Sequence, residues 1–344
     1  MNFAGIRRFQ MLLLPFSWLY AFGVWLRNFP YDRGWIRPRR LSVPVVSVGN
    51  LSAGGTGKTP VVIFLAKLYQ SAGKRVGILT RGYGRETREP QILSGNAEDA
   101  TPEQIGDEPF LILTELKKIG LAVDKKRERG AAKLLAKMPV DVFILDDGFQ
   151  YRRLFKECEI VVLDATRPFD NGRLIPAGLL REPPRALARA SLLWLTRVNR
   201  AADPEKTRTW LRRFSPKPVV QSFHAPVGLW SIDRKRQMPL EKLSGLEAIA
   251  FCAIGNPESF RQDLQDLGVR LRAFRAFPDH HVFTTADIEN LKILATNRKV
   301  KYILCTEKDA VKVSNGDDRF YFLKISIQIV GDYQILLDLL PGLR

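Results

Sequence analysis

A glycine-rich loop between a predicted strand and a predicted helix constrains this 344-residue chain more than any other feature. The β-branched run 43–48 leads into the stretch GGTGKT (54–59), and a segment with helical periodicity follows over 61–69. Glycines at such a junction let backbone N–H groups converge on phosphate oxygens at the N-terminus of the helix. We therefore predict a phosphate-binding P-loop, although Ser52 stands where the full pattern has its first glycine.

The predicted P-loop implies ATP and Mg²⁺ as ligands. Lys58 would reach the β- and γ-phosphates, and the hydroxyl of Thr59 would bind Mg²⁺. A second hydrophobic strand, 142–145, ends in Asp146 and Asp147, where P-loop proteins place an acid for the metal. An Asp-Asp-Gly sequence also suits an ordinary turn, which is the alternative. The predicted nucleotide-binding residues are Ser52, Ala53, Gly54, Gly55, Thr56, Gly57, Lys58 and Thr59.

The first forty residues suggest contact with a membrane. Residues 9–26 carry no charge, arginines flank them on both sides, and Asp32 is the only acid before residue 41. The run is slightly short for a bilayer core about 30 Å thick and Pro15 interrupts it, while its Trp and Tyr residues suit headgroup depth. We expect a helix that lies in or dips into the inner leaflet, held by arginines against anionic lipid. A buried core helix is the alternative for so short an apolar run.

The formal net charge of +18 indicates an acidic partner. A nucleic-acid-binding protein is expected to interleave Lys and Arg with aromatic residues, whereas the arginines here adjoin an apolar run. We therefore expect an anionic membrane surface and no nucleic acid. The three cysteines and three histidines are too scattered for a zinc cluster or a disulfide framework, and a reducing compartment fits this usage best.

Strand–helix alternation predicts an α/β fold with a P-loop NTPase-like αβα core. Alternation runs from residue 43 to about 216 and restarts after 243, so that a second, smaller α/β lobe is expected. The predicted division is an N-terminal membrane-associated helix and basic segment (1–40), a P-loop domain (41–218), a polar, irregular linker (219–243) and a C-terminal α/β lobe (244–344).

Eight short segments follow one another along nearly the whole chain: VSVGNLSAGGTGKTP, LTRGYGR, GDEP, DDGFQ, IPAGLLREP, FCAIGNPESF, FPDHHVFT and TEKDAVK. In this order they resemble the tetraacyldisaccharide 4′-kinase family. That family phosphorylates the 4′-hydroxyl of an acylated glucosamine disaccharide 1-phosphate in lipid A biosynthesis. One departure is Tyr151, because family members commonly have histidine after DDGFQ. The MinD/ParA-like ATPases are the alternative, but their signature lysine is replaced here by Ala53.

The resemblance implies roles that the residues alone leave open. Asp107, otherwise an ordinary residue of a helix N-terminus, becomes the catalytic base, with His280 as its partner and Lys58 on the phosphates. The implied metal-binding residues are Thr59, Asp146, Asp147, Gln150 and Glu182. The implied substrate-binding residues are Asn50, Arg81, Tyr83, Arg85, Glu108 and Arg181. Read from the pattern alone, the arginines after residue 80 are equally consistent with a solvated glycine turn. The resemblance also implies a monomer bound to the cytoplasmic face of the inner membrane.

Overall fold

The computed structural model describes residues 12–83, 85, 89–95, 100–279, 281–313, 316–331 and 333–343. In these ranges, one mostly parallel sheet runs through the protein, with helices packed against it. Its strands are β1 (Val45–Gly49), β2 (Val76–Thr80), β3 (Gln91–Ser94), β4 (Gly120–Val123), β5 (Val142–Asp146), β6 (Cys158–Asp164), β7 (Leu192–Thr196), β8 (Val219–Ser231), β9 (Gln237–Met238), β10 (Glu247–Cys252), β11 (Arg270–Ala276), β12 (Tyr302–Thr306) and β13 (Phe320–Val330). The helices are α1 (Leu14–Asp32), α2 (Lys58–Ser71), α3 (Pro102–Ile105), α4 (Asp107–Glu115), α5 (Arg127–Lys137), α6 (Pro204–Leu211), α7 (Pro257–Asp266), α8 (Thr285–Asn297), α9 (Glu307–Ala310) and α10 (Gln334–Leu339).

The sheet places the P-loop strand between two buried parallel neighbours. The strand order is β11-β10-β12-β13-β8-β7-β6-β1-β5-β2-β4-β3, with β9 beside β8. Every residue of β1, β5, β6 and β7 is buried, which explains why these strands are continuous hydrophobic runs in the sequence. The carboxyl ends of β1, β5 and β2 therefore meet at one edge of the sheet, where α/β proteins bind ligands. The predicted α/β class is confirmed.

The predicted linker 219–243 is wrong, because most of it is strand. β8 pairs in parallel with β7 and in antiparallel fashion with β13, from Tyr321 opposite Ser231 to Val330 opposite Gln221. Pro226 is tolerated because it lies at a register shift of the β8–β13 ladder, where regular pairing is interrupted. The P-loop half (β1–β7) and the second half (β9–β13) therefore share one sheet through β8. The proposed domain boundaries otherwise stay a prediction.

Helix α1 turns a large apolar face outward. Trp18 and Leu19 are each 70% exposed, and further exposed side chains of the segment are Leu12, Phe16, Phe22, Trp25 and Leu26. Its inner face is polar: the Ser17 hydroxyl donates to the Leu174 carbonyl and accepts from the Ala177 N–H, each at 2.9 Å. A buried core helix is therefore excluded. Pro15 does not interrupt the described helix but lies in its first turn. In the described ranges, no helix is both long and apolar enough to cross a bilayer.

Candidate active site

A cavity of about 860 Å³ lies between the P-loop half and the second half. One wall is formed by the carboxyl ends of β1, β2 and β5, and the opposite wall by the loops after β10, β11 and β12, which contribute Asn256, Asp279 and Lys308. Most of the residues predicted from the sequence meet in this cavity. They are Gly54, Gly55, Thr56, Gly57, Lys58, Thr59, Arg81, Tyr83, Glu108, Asp146, Asp147, Gln150 and Arg181.

The phosphate loop reaches its conformation without the usual first glycine. Ser52 forms an isolated antiparallel bridge with Leu180, and the Ala53 N–H donates to the Leu179 carbonyl at 2.7 Å. The chain turns later, at Gly54 (φ +109°) and Gly57 (φ +86°), and α2 begins at the next residue. Positive φ at these two positions is the reason for glycine there. The entry to the loop is thus extended and is held by the IPAGLLREP segment.

Asn50 supports the loop from behind. Its side chain is fully buried, and its amide donates to the Thr56 hydroxyl at 3.1 Å, while its backbone carbonyl accepts from the Gln150 amide at 3.0 Å. Because it is covered, these contacts support a role for Asn50 in positioning the P-loop, and its predicted contact with substrate stays a prediction.

The two aspartates after β5 have opposite environments. Asp146 is buried and accepts from the Thr80 hydroxyl at 3.1 Å; burial, reinforced by the charges of Glu108 and Asp147, raises its pKa to about 7. Burial also acts to raise the pKa of Asp147, but Lys58 and Arg181 outweigh it and lower that pKa. The Asp147 carboxylate is 3.4 Å from Lys58 Nζ and 2.9 Å from Arg181 Nη1.

The residues beside the P-loop fit a divalent cation that prefers oxygen ligands. Asp146 Oδ1 and Gln150 Oε1 are buried and accept no hydrogen bond from any described residue. No group of three or more His, Cys, Asp or Glu suited to a metal occurs in the described ranges. Mg²⁺ does not need one, because it keeps waters and binds one or two carboxylates together with substrate phosphates. Thr59, Asp146, Asp147 and Gln150 are therefore its candidate ligands.

Glu182 lies apart from this group. Its fully buried carboxylate accepts from Asn28 and from Arg189, each at 2.9 Å, and lies 3.4 Å from Arg27. It thus ties α1 to the body of the protein, and it is absent from the described lining of the cavity. Its Oε1 accepts no hydrogen bond from any described residue, and its role as a metal ligand stays a prediction.

Asp107 begins α4 at the junction with the second half. Its Oδ2 is 3.8 Å from Lys312 Nζ, and the neighbouring Glu108 is 3.8 Å from Lys308, which is also 3.8 Å from Asp279. His280, the predicted partner of Asp107, lies outside the described residues. The next histidine, His281, stacks on Phe277 with ring centres 4.8 Å apart and points its Nε2 at Asp287, 3.1 Å away. It is therefore occupied by structural contacts.

Arg127 is a cavity residue that the sequence analysis missed. It is only 6% exposed, lines the cavity, and its guanidinium carbon lies 4.6 Å from the centre of the Tyr151 ring. Burial lowers its pKa, and its Nε donates to no described residue. Tyr151, at the family's usual histidine position, also accepts from the Arg127 N–H at 3.1 Å. No sequence signal marked Arg127, because it sits in the charged run KKRERG.

Arg85, a predicted substrate-binding residue, contacts backbone carbonyls and is absent from the described lining of the cavity. Its Nη1 donates to the carbonyls of Val123 and Glu89, each at 3.0 Å, and burial lowers its pKa. The contact with Val123 holds Arg85 against the end of β4. Arg81 and Tyr83 line the cavity, whereas the substrate contact of Arg85 stays a prediction.

A P-loop at the end of a buried strand, with two acids suited to Mg²⁺ beside it and a cavity closed by a second wall, defines a P-loop nucleotide-binding protein. The model of the family described as tetraacyldisaccharide-1-P 4'-kinase matches residues 9–341. A tetraacyldisaccharide 4'-kinase of Syntrophus aciditrophicus is 42% identical over 319 residues, covering 89% of this chain and 85% of that protein. One from Anaeromyxobacter dehalogenans is 36% identical, with coverages of 90% and 84%.

A solved structure agrees with these relatives. The crystal structure of "apo" form LpxK from Aquifex aeolicus in complex with ATP superposes with a TM-score of 0.79 at 33% identity, covering 96% of this chain and 99% of that one. The chain belongs to the tetraacyldisaccharide-1-P 4'-kinase family. It is an ATP-dependent kinase of lipid A biosynthesis, and the alternative of a MinD/ParA-like ATPase is not supported.

Proposed function

We propose that this kinase phosphorylates the 4′-hydroxyl of a tetraacyldisaccharide 1-phosphate within the cavity, at the cytoplasmic face of the inner membrane. The observation that carries the proposal is the composition of the cavity: the P-loop lines one wall, Tyr20 and Arg27 of the membrane-facing helix α1 line another side, and the second half closes it. ATP and the lipid headgroup can therefore meet at one place.

At the nucleotide end, the P-loop N–H groups and Lys58 hold the phosphates of ATP. The Lys58–Asp147 ion pair keeps the ammonium at the site, where its charge stabilises the phosphoryl oxygens in the transition state. Thr59, Asp146, Asp147 and Gln150 would hold Mg²⁺, which would neutralise part of the charge on the phosphates of ATP.

At the acceptor end, Asp107 accepts the proton of the 4′-hydroxyl, and His280 orients the carboxylate or passes the proton on. A hydroxyl nucleophile needs its proton removed and its direction fixed as it attacks the γ-phosphate. The position of Asp107 at the N-terminus of α4, next to the cavity residue Glu108, supports this role.

The charged headgroup is bound by arginines. Arg81 and Arg181 line the cavity, as does Arg127, and together they suit the 1-phosphate of the acceptor. Arg27 carries positive charge from α1 to the same cavity. The exposed apolar face of α1 enters the lipid, so that a monomer can bind an anionic membrane and its substrate at once.

The direct test is transfer of radiolabelled γ-phosphate from ATP to tetraacyldisaccharide 1-phosphate in detergent micelles. Lys58→Ala should lower turnover by about two to four powers of ten, because a major electrostatic contact to the phosphates is lost. The matched control is Lys74→Ala. Lys74 lies just beyond the C-terminal end of α2, whereas the P-loop lies at its N-terminal end, so the turnover of this variant should equal that of the wild type. Wild-type turnover in Lys58→Ala would refute the P-loop assignment.

A further inference from the structure

Helix α4 is joined to the rest of the protein by partly buried ion pairs that cross between the two halves. Its acids are Asp107, Glu108 and Glu115. Each is met by a cation from the chain beyond β8: Lys312 at 3.8 Å, Lys308 at 3.8 Å, and Arg234 and Lys324 at 2.6 and 2.8 Å respectively. The helix that carries the proposed base is thus aligned by side chains of the second half.

Lys312 differs from the other three cations in its additional contacts. Its side chain is 5% exposed, and Nζ donates to the carbonyl of His281 at 3.1 Å while lying 3.0 Å from Asp309. The same ammonium therefore contacts the proposed base on α4 and the backbone of His281, the residue that follows the proposed partner His280 in the sequence.

Lys312 is itself held rigidly. Asp309 is fully buried, and its Oδ2 accepts from the Ala253 N–H at 3.0 Å and from the Thr306 hydroxyl at 2.6 Å. The lysine also packs over the Phe283 ring, 5.1 Å from its centre. A buried, doubly anchored ammonium is pre-organised, so that it can fix the position of groups that contact it.

We propose that Lys312 is a positioning residue for phosphoryl transfer, which holds the Asp107 carboxylate in register with the backbone of His281. The inference rests on the proposed role of Asp107 as the base. This positioning role would explain how a base assembled from two halves keeps its geometry. Precise placement matters because a displacement of about 1 Å can lower a reaction rate by about 10²-fold. Lys312 contacts the Asp107 carboxylate and the His281 carbonyl, so it acts through these two groups.

The test compares Lys312→Gln with Lys312→Arg in the labelled-phosphate assay, with turnover expressed per ATP-binding site. Lys312→Gln keeps a donor for the His281 carbonyl but removes the charge, so kcat should fall about 10²-fold while the KM for ATP changes less than about threefold. Lys312→Arg keeps the charge, so its kcat should be about tenfold higher than that of Lys312→Gln. The matched control is Lys292→Gln, which removes a second-half lysine that pairs with Glu289 and not with α4, and it should keep kcat within about threefold.

Asp107→Asn, alone and combined with Lys312→Gln, separates this inference from the proposed base. If Lys312 acts through Asp107, Lys312→Gln should lower kcat by less than about threefold in the Asp107→Asn background. If Asp107→Asn is impaired but Lys312→Gln turns over normally, or if the two losses multiply, the Lys312 inference is wrong while the base survives. If Asp107→Asn turns over like the wild type, the base assignment and this inference both fall.

Discussion

His224 on β8 packs directly against Gly57 of the phosphate loop. A Cβ built on Gly57 would lie 2.9 Å from Cε1 and 3.0 Å from Nε2 of the imidazole. Burial, together with the charge of Arg197, lowers the pKa of His224 to about 4, so the ring is neutral at physiological pH. Because β8 is the strand shared by the two halves, this contact connects the P-loop to the element that joins them.

Gly57→Ala should therefore weaken ATP binding by the phosphate loop. The new methyl would meet His224 and would also force φ +86° on a residue that disfavours it, at a cost of about 1–2 kcal/mol before the clash is counted. We expect the KM for ATP to rise at least about tenfold and the melting temperature to fall. Gly55→Ala is the control for stability, because an added Cβ there meets no described atom within 4 Å and its φ is not in the disfavoured range. An unchanged KM and melting temperature in Gly57→Ala would contradict the expectation.

The strands that carry the nucleotide site were predictable from the sequence, and β8 was not. β1 and β5 overlap the strands that the sequence predicts at 43–48 and 142–145, because strands covered on both faces must be hydrophobic throughout. β8 is only partly buried, and it contains Pro226 and a glycine, so its local pattern resembles a linker. Its main partner, β13, lies about a hundred residues further along, and local periodicity carries no information on such pairing.

The candidate active site likewise contains residues that the sequence predicts and residues that it does not. The P-loop and the acids after β5 follow from local motifs, whereas the contact of Lys312 with Asp107 joins residues 205 positions apart in sequence, and neither motif predicts it. Arg127 was missed for a related reason, because burial of one arginine in a charged run depends on packing against Tyr151 from another element. Tertiary packing, and not residue type, assigns these roles.

The contribution of Glu307, at the start of α9, to stability should fall as the pH rises from about 5 to 8, whereas His224 acts in the opposite direction up to about pH 6.5. Burial, with the charge of Glu115 beside it, raises the pKa of Glu307 to about 8 from an ordinary value of 4.5. Between these values the folded state keeps a proton that the unfolded state releases, so the free energy of unfolding declines with pH. Glu115 does not oppose this trend in the same window: burial acts to raise its pKa, but Lys324 and Arg234 lower it to about 2.

Glu307→Gln is neutral at every pH and should remove this dependence. Relative to the wild type, we expect it to gain about 1–3 kcal/mol between pH 5 and pH 8, measured by denaturant unfolding at both values. Glu289→Gln, which changes an exposed acid paired with Lys292, is the control and should leave the pH dependence unaltered. A Glu307→Gln protein that parallels the wild type at all pH values would show that Glu307 is ionised in the folded state.

The exposed face of α1 should determine membrane binding. Trp18→Ser, Leu19→Ser and Phe22→Ser together remove side chains that are 70%, 70% and 58% exposed, so folding should be unaffected. Each apolar side chain contributes about 1.5–3 kcal/mol on burial, and binding to anionic phospholipid vesicles should weaken at least about 100-fold in sedimentation assays. Val282→Ser, which changes a residue equally exposed (70%) in the second half, should bind like the wild type. Retention of the triple variant on vesicles would assign membrane binding to another surface.

Substitutions of Asp107 and His280 should have non-additive effects on kcat. If they jointly remove the 4′-hydroxyl proton, Asp107→Ala and His280→Ala should each lower kcat by about 10²–10⁴-fold, with little change in ATP affinity. The double variant should be scarcely slower than the slower single variant, because either loss already disables the base. Turnover per ATP-binding site, with melting temperatures alongside, distinguishes this from a structural role of Asp107 at the N-terminus of α4, which would lower stability and leave turnover near normal. Losses that multiply in the double variant would mean two independent roles, and the dyad would have to be abandoned.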